Sequence, residues 1–333
     1  VRVLRPVALI FVLAYADYAV KSVTENNGSS NASIDPVEGN GLIWSTGEHS
    51  FYCVYPAPAK NAAVSFEESG DDILIHATVP AEQTITWEIA NGKATAKPNM
   101  DYAYMYAAVM GMTPSSTVNL FFKPMVTAFE ITVTSADDDE LTLKSFRMTS
   151  TGSDREPWCA LSGDFTATIT DATTSSNLST EAATFTCPAR DDEGADANNF
   201  VTINLTDTAH PTGLTIYKNA SNGPTSASFT VFALPQDISK VKLELIAENK
   251  DRLSLTRKIA LKKIVDPESV ESDIVTFSAC HKVYINNLGV PGTWTYNMDP
   301  IEDVIVSGTN VLTKTQHEVS IHTYKSATGM ERI

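Results

Sequence analysis

Lys240-Val241-Lys242-Leu243-Glu244-Leu245 carries an apolar side chain at every second position. Successive side chains of a strand point to opposite faces, so Val241, Leu243 and Leu245 share one face while the lysines and Glu244 share the other. A helix would scatter the same residues around its circumference. The segment reads as a strand with one dry face and one wet face. Short β-branched or aromatic runs bounded by Gly, Pro, Asn and Asp recur along the chain. They lie at 51–55, 73–79, 84–89, 118–122, 128–134 and 141–149, then at 165–170, 200–205, 214–217, 228–234, 241–247, 253–259, 282–286, 293–296, 303–306 and 318–324. Helical spacing never persists for three turns, so any helix is expected to be short. Short strands with frequent turn signals predict packed antiparallel sheets rather than a parallel sheet, which would need crossover helices.

At 333 residues the chain exceeds one ordinary sandwich and suits two domains of roughly 150–170 residues each. Gly152, Ser153, Asp154 and Pro157, followed by Gly163, break the strand pattern near the middle. The expected organisation is therefore all-β, with one β-sandwich over 1–152 and a second over 153–333.

Lys and Arg total 24 against 40 Asp and Glu, a formal charge of -16. Such a field repels polyanions, and Lys258, Lys262 and Lys263 sit in a strand-like run without interleaved aromatics, so no nucleic-acid partner is expected. Cys53, Cys159, Cys187 and Cys280 form no CxxC pair, and only His281 lies beside one of them. No metal or other cofactor is expected, and no disulfide pairing follows from the spacing. The acidic runs at 137–140 and 191–196 lack the alternating ligand spacing of an EF-hand and read as solvated loops. GxSxG, HExxH, P-loop and GxGxxG motifs are missing, and the six His residues are scattered. A non-enzymatic role is expected.

Arg2 and Arg5 precede an apolar run at 7–14 that continues through Tyr15, Tyr18, Val20 and Val23. Ala14-Tyr15-Ala16 has the form of a signal-peptidase site, but the run is β-branched and aromatic, so an ordered strand is the favoured reading. Nothing else approaches the length of a membrane span, and a soluble chain, or one held by something upstream, is expected.

Pro98-Asn99-Met100-Asp101-Tyr102-Ala103-Tyr104-Met105-Tyr106-Ala107 resembles the proline-aspartate-tyrosine strand of the fimbrillins, the subunits of type V pili of Bacteroidetes. Val118-Asn119-Leu120-Phe121-Phe122-Lys123, followed by Met125-Val126-Thr127-Ala128-Phe129-Glu130-Ile131, is similar to the strand pair that comes next in that family, although Pro124 stands where many members have His. Trp44 with the run from His49 to Pro56, the run from Phe229 to Pro235 and the run from Val290 to Tyr296 fit the same order. The resemblance spans about Trp44 to Pro300.

The resemblance implies two transthyretin-like sandwiches in tandem and export as a lipoprotein to the outer membrane, by a lipid anchor upstream of the given residues. It also implies assembly at the cell surface after an arginine-specific protease removes an N-terminal strand. The partners would be other pilin subunits, joined head to tail by strand exchange, with a host or bacterial surface ligand for adhesion. Arg2 and Arg5 are the candidate processing sites. Pro6 hinders cleavage after Arg5, and no obvious Arg follows the N-terminal strand before Arg147. Shaft and accessory subunit both remain open. Val304 and Val306 in one short strand, and Val319, Ile321 and Tyr324 in the next, are the candidate donor-strand residues; the same strands would alternatively complete the second sandwich.

The competing reading is a surface lipoprotein that binds carbohydrate or protein and does not polymerise. Tyr102, Tyr104 and Tyr106, alternating along one strand, would form its sugar platform, or else pack into a core.

Overall fold

The computed structural model describes residues 2–7, 12–26, 29–39, 41–43, 46–58, 61–70, 72–114, 117–135, 140–150, 159–170, 183–188, 198–239, 241–249, 254–260, 262–263, 276–277, 279–288, 293–300, 304–306 and 317–322. In chain order its strands are β1 (Arg2–Val7), β2 (Val12–Asn26), β3 (Ser29–Pro36), β4 (His49–Tyr55), β5 (Ser65–Ser69), β6 (Asp72–Val79), β7 (Glu82–Ala90), β8 (Lys93–Pro98) and β9 (Met105–Met112). There follow β10 (Leu120–Pro124), β11 (Thr127–Thr134), β12 (Glu140–Ser150), β13 (Gly163–Thr170), β14 (Thr184–Thr186), β15 (Phe200–Asn204), β16 (Leu214–Tyr217) and β17 (Ser226–Ala233). The last are β18 (Ile238–Ser239), β19 (Val241–Asn249), β20 (Ser254–Ala260), β21 (Lys262–Lys263), β22 (Thr276–Phe277), β23 (His281–Leu288), β24 (Thr293–Pro300), β25 (Val304–Val306) and β26 (His317–His322). The helical content among the described residues is one 3-10 turn, Met100–Tyr102. The protein is an all-β sandwich fold.

The strands form a closed barrel, β1-β2-β3-β25-β10-β9-β4, and a long sheet, β20-β19-β12-β15-β7-β8-β17-β11-β23-β24-β26-β21, with β16 on β12. A smaller sheet, β14-β13-β6-β5, and the pair β18-β22 complete the described pairing. The break near residue 152 falls between β12 and β13. Hydrogen bonding crosses it in both directions, because β12 pairs with β15, β16 and β19, whereas β13 pairs with β6.

Alternation explains the first core. Val241, Leu243, Leu245 and Ala247 of β19 are buried, together with Leu141, Leu143, Phe146 and Met148 from β12. They face Trp87 of β7, Phe129 and Ile131 of β11, and Phe229 and Val231 of β17. The long sheet thus curls so that two of its arms enclose one core, joined where β15 meets β7 in a short parallel contact. Phe229 lies at its centre, 5.3 Å from Phe146 and 6.5 Å from Trp87 in edge-on geometries that aromatic quadrupoles favour.

His49-Ser50-Phe51-Tyr52-Cys53-Val54-Tyr55 does not alternate because β4 is covered on both faces. Tyr52 and Val54 join Tyr106, Ala108 and Met110 of β9 against Ile73, Ile75 and Ala77 of β6 and Phe165, Ala167 and Ile169 of β13, which makes a second core. Phe51 and Cys53 point the other way with Ala107, Val109, Leu120 and Phe122, forming the barrel core.

One expectation is corrected. The stretch 98–107 is not one strand: β8 ends at Pro98, and the Asn99 side chain accepts the Asp101 N–H at 3.0 Å, which starts a turn before β9 begins at Met105. Tyr102, Tyr104 and Tyr106 therefore do not line a strand face. Tyr104 is 1% and Tyr106 3% exposed and both belong to the second core, so of the two readings of these tyrosines it is core packing that holds, not a sugar platform. The Tyr104 hydroxyl donates to the Thr78 carbonyl at 2.6 Å, its ring lies 6.0 Å from that of Phe165, and the Tyr106 hydroxyl accepts the Ala183 N–H at 2.9 Å.

Candidate strand-exchange site

The apolar run after Arg2 folds as a hairpin of β1 and β2 rather than as one continuous strand. β1 lies between β2 and β4: Arg2 is opposite Asp17 and Val54, Val3 opposite Ala16 and Cys53, and Leu4 opposite Tyr15 and Tyr52. From Arg5 onward β1 pairs with β2 alone, with Arg5 opposite Ala14 and Pro6 opposite Leu13. Proline donates no N–H, so it is tolerated where a strand has a partner on one side only. Arg2 therefore sits in backbone paired on both sides and Arg5 in backbone paired on one. A protease, which needs an extended unpaired substrate, meets less resistance at Arg5 than at Arg2 from pairing, and more from Pro6. Arg147 lies within β12 between β15 and β19, its guanidinium 3.7 Å from the Phe200 ring centroid.

β2 outruns β1. Beyond Asp17 it pairs with β3, with a register shift between Val20 and Ser22. Exposed polar pairs hold this extension, Lys21 to Asp35 at 2.7 Å and Ser22 to Ser33 at 2.7 Å. Exposed ion pairs of this kind contribute little to stability. Tyr15, Val20 and Val23 are 63%, 54% and 57% exposed. Tyr18 packs on the barrel core and accepts the Leu42 N–H at 2.9 Å, Ile34 packs on the same core, and Ala32 is buried.

β25 closes the barrel. Val304 is opposite Phe122, Ile305 opposite Phe121 and Val306 opposite Leu120 in antiparallel pairing. On its other side Ile305 and Val306 run parallel to Asn31 and Ala32 of β3. A strand from the end of the chain thus lies between two strands from its first half, against the wall that carries Leu120 and Phe122. β26 goes elsewhere. Val319 is opposite Tyr296 and Ile321 opposite Trp294 of β24, with Ile321 also opposite Lys263 of β21. The two candidate donor strands therefore belong to different sheets, while Tyr324 lies outside the described residues. The acidic stretches at 137–139 and 191–196 and Trp44 also lie outside them.

Sequence reasoning missed the destination of β25. Val304-Ile305-Val306 is too short to carry a register signal, and only its position in the sheet reveals that it completes a barrel rather than the long sheet. Among the described residues no three His, Cys, Asp or Glu side chains come together to hold a metal ion.

No protein-family model and no curated protein matches the chain. Solved structures with some likeness include a candidate cell adhesion protein of Bacteroides ovatus ATCC 8483, at 15% identity and a TM-score of 0.37, covering 92% of this chain and 88% of that one. A candidate cell adhesion protein of Bacteroides fragilis NCTC 9343 gives 12% identity and a TM-score of 0.30 over 93% and 86% of the two chains. A candidate adhesin of Bacteroides ovatus ATCC 8483 gives 9% and 0.25 over 78% and 75%.

Proposed function

We propose that this chain is a structural or accessory subunit of a cell-surface pilus that assembles by β-strand exchange and supports adhesion. The observation that supports this reading is the barrel, in which β25 is held by three residue pairs on one side and two on the other. Withdrawal of such a strand exposes unpaired backbone on β10 and β3 beside a wall of Leu120 and Phe122. A strand from the next subunit restores both the ladder and the apolar cover, which is β-augmentation. Contact of this head-to-tail kind does not close on itself, so it propagates as a filament. β1 supplies a second removable strand, since its departure uncovers β4 in the same barrel.

The test is proteolysis of the purified chain with an arginine-specific protease, then mass spectrometry and negative-stain microscopy. Loss of an N-terminal fragment and subsequent filaments are expected. An uncut N-terminus, or a trimmed product that stays monomeric, would overturn assembly by this route.

A further inference from the structure

We propose that a cleft at the outer face of the small sheet β14-β13-β6-β5 binds an organic cation, the protonated amine or guanidinium of a Lys or Arg side chain on a partner chain. The cleft has a volume of about 440 Å³ and lies against β6, β13 and the end of β14. Small-ligand sites fall in the same range, about 300–1,000 Å³. Alternation decides what the cleft presents. Ile75, Ala77 and Val79 of β6 and Phe165 and Ala167 of β13 turn inward to the second core, so His76, Thr78, Asp164 and Thr166 turn outward. Thr166 is opposite His76 and Asp164 opposite Thr78, and all four line the cleft.

The hydrogens of these side chains are already committed. His76 Nε2 lies 3.0 Å from Glu67 Oε2, and a carboxylate only accepts, so Nε2 carries the hydrogen. In the neutral imidazole Nδ1 is then an acceptor, and it takes the hydrogen of the Thr166 hydroxyl at 3.0 Å. The Thr78 hydroxyl donates to Asp164 Oδ1 at 2.6 Å. Both hydroxyls therefore turn lone pairs to the cleft, and Asp164 adds its second oxygen and a negative charge. Thr186, opposite Thr166 on β14, supplies a further hydroxyl oxygen. Among the described residues no Lys or Arg pairs with Asp164 or Glu67, whereas Asp35, Glu88, Glu130 and Glu248 each meet a lysine. The cleft is thus walled by acceptors beside a carboxylate that no lysine or arginine neutralises.

A ligand that satisfies such a wall brings several donors and a positive charge. Ammonium and guanidinium groups carry several N–H donors and no acceptor. Their hydrogen bonds to a carboxylate are roughly twice as strong as those between neutral groups, which favours them over the hydroxyls of a polyol. Anions are repelled, here as by the whole chain with its formal charge of -16. The rest of the lining suits an aliphatic stem: Ala62 and Ala63 form the rim, above the buried Ala77 and Phe165. Methylene stems of Lys and Arg pack on apolar surface of this kind while the head reaches polar groups. The rim is held in place, because the Asn61 side chain accepts the Ala63 N–H at 3.0 Å and donates to the Asp101 carbonyl at 2.8 Å. The small sheet is separate from the barrel that holds β1 and β25, so the site does not rest on strand exchange.

The test is an NMR titration of the isotope-labelled full chain with Nα-acetyl-arginine amide and with Nα-acetyl-lysine amide, which distinguishes the two heads. Saturable shifts at the amides of His76, Thr166 and Thr186 are expected, with an affinity that falls as salt is raised. Nα-acetyl-citrulline amide, neutral and close to arginine in shape, should bind about tenfold more weakly. Asp164→Asn should weaken binding of the better cation by about tenfold and Thr166→Val by roughly fivefold. Asp72→Asn removes the same charge at the far end of β6 and should leave the affinity unchanged. Equal binding of the citrulline probe, shifts centred elsewhere, or equal losses in Asp72→Asn and Asp164→Asn would overturn the proposal. So would saturable binding of glucose in place of both cations, which would make the cleft a polyol site. The comparison of arginine with citrulline needs no variant, so it decides even where a variant fails to fold. Filament formation after arginine-specific proteolysis is read separately, so this proposal and the assembly reading fail independently.

Discussion

The carboxamide of Gln83 pairs with both backbone groups of Phe232: Nε2 donates to the Phe232 carbonyl at 2.7 Å, and Oε1 accepts the Phe232 N–H at 3.0 Å. β8 separates β7 from β17 in the register that sets Lys93 opposite Ser226, and it ends at Pro98, before it reaches Phe232. Gln83, 1% exposed, supplies the donor and acceptor that the absent backbone would have offered. Gln83→Leu fills the volume but leaves a buried N–H and a buried carbonyl unpaired, at a cost of about 1–3 kcal/mol for each. The expected outcome is a urea midpoint lowered by that stability loss, with an unchanged m-value.

Phe229 makes the most concentrated test of the first core. It lies edge-on to Trp87 of β7 in its own arm and to Phe146 of β12 in the facing arm, and is 1% exposed. Phe229→Ala removes a ring that the surrounding sheet is too rigid to replace, and should cost about 3–5 kcal/mol. The Trp87 indole, which donates to the Leu205 carbonyl at 2.9 Å, reports on the cavity. Its emission should shift while the far-ultraviolet β-signal persists; an unaltered denaturation midpoint would contradict this packing.

Where one face is dry and one wet, the architecture was legible from alternation, as in β19. β4 was legible through its continuous run from Phe51 to Tyr55, but that it is covered on both faces was not. β8 escaped notice because Ala94 and Ala96, 1% and 5% exposed, are its only inward residues. Small side chains among lysines and threonines make a weak strand signal. The site was less legible than the fold. β25 and β26 both read as strands, yet the sheets they join are decided by long-range pairing that leaves no trace in a run of three to six residues.

Asp207 links the loop after β15 to β7. Oδ2 accepts the Trp87 N–H at 2.8 Å and Oδ1 accepts the His210 N–H at 2.6 Å, with His210 Nδ1 2.9 Å away. Burial disfavours the charged carboxylate, but these hydrogen bonds and the neighbouring imidazole outweigh it and hold the pKa below its usual value. A depressed folded pKa gives a stabilisation that is complete above the unfolded value, about 3.9, and is lost as pH falls through the folded value. The difference in stability between wild type and Asp207→Asn should be largest near neutrality and shrink on acidification below about pH 4. A difference independent of pH down to acid would show that the charge is not what Trp87 and His210 recognise.

Gly213 has φ +105°, and a Cβ there would lie 2.2 Å from the Leu143 carbonyl oxygen. That oxygen is backbone of a fully buried residue in β12, so it cannot move aside as a flexible side chain would. Gly213→Ala combines a left-handed backbone with this clash and should destabilise by more than the roughly 1 kcal/mol that left-handed strain alone costs. Protection of the β12 amides from hydrogen exchange should fall around Leu143, which lies opposite Leu214 of β16. A fully stable variant would mean that β16 can leave β12 at no cost.

Ile305 is the middle residue of β25, opposite Phe121 on one side and Asn31 on the other. Ile305→Pro removes its N–H and restricts its backbone, so a strand of three residues loses its central link. If β25 closes the barrel without supporting the rest of the molecule, faster hydrogen exchange should appear at Leu120, Phe121 and Phe122 of β10 and at Asn31 and Ala32 of β3. β12 and β19, in the long sheet, should keep their protection, because none of their pairings runs through β25. A synthetic peptide with the sequence of 301–308, added in excess, should then restore protection to β10 if the vacated place accepts a strand in trans. Global loss of protection in the variant would instead make β25 part of the folding core, which would be incompatible with a strand that is exchanged between subunits.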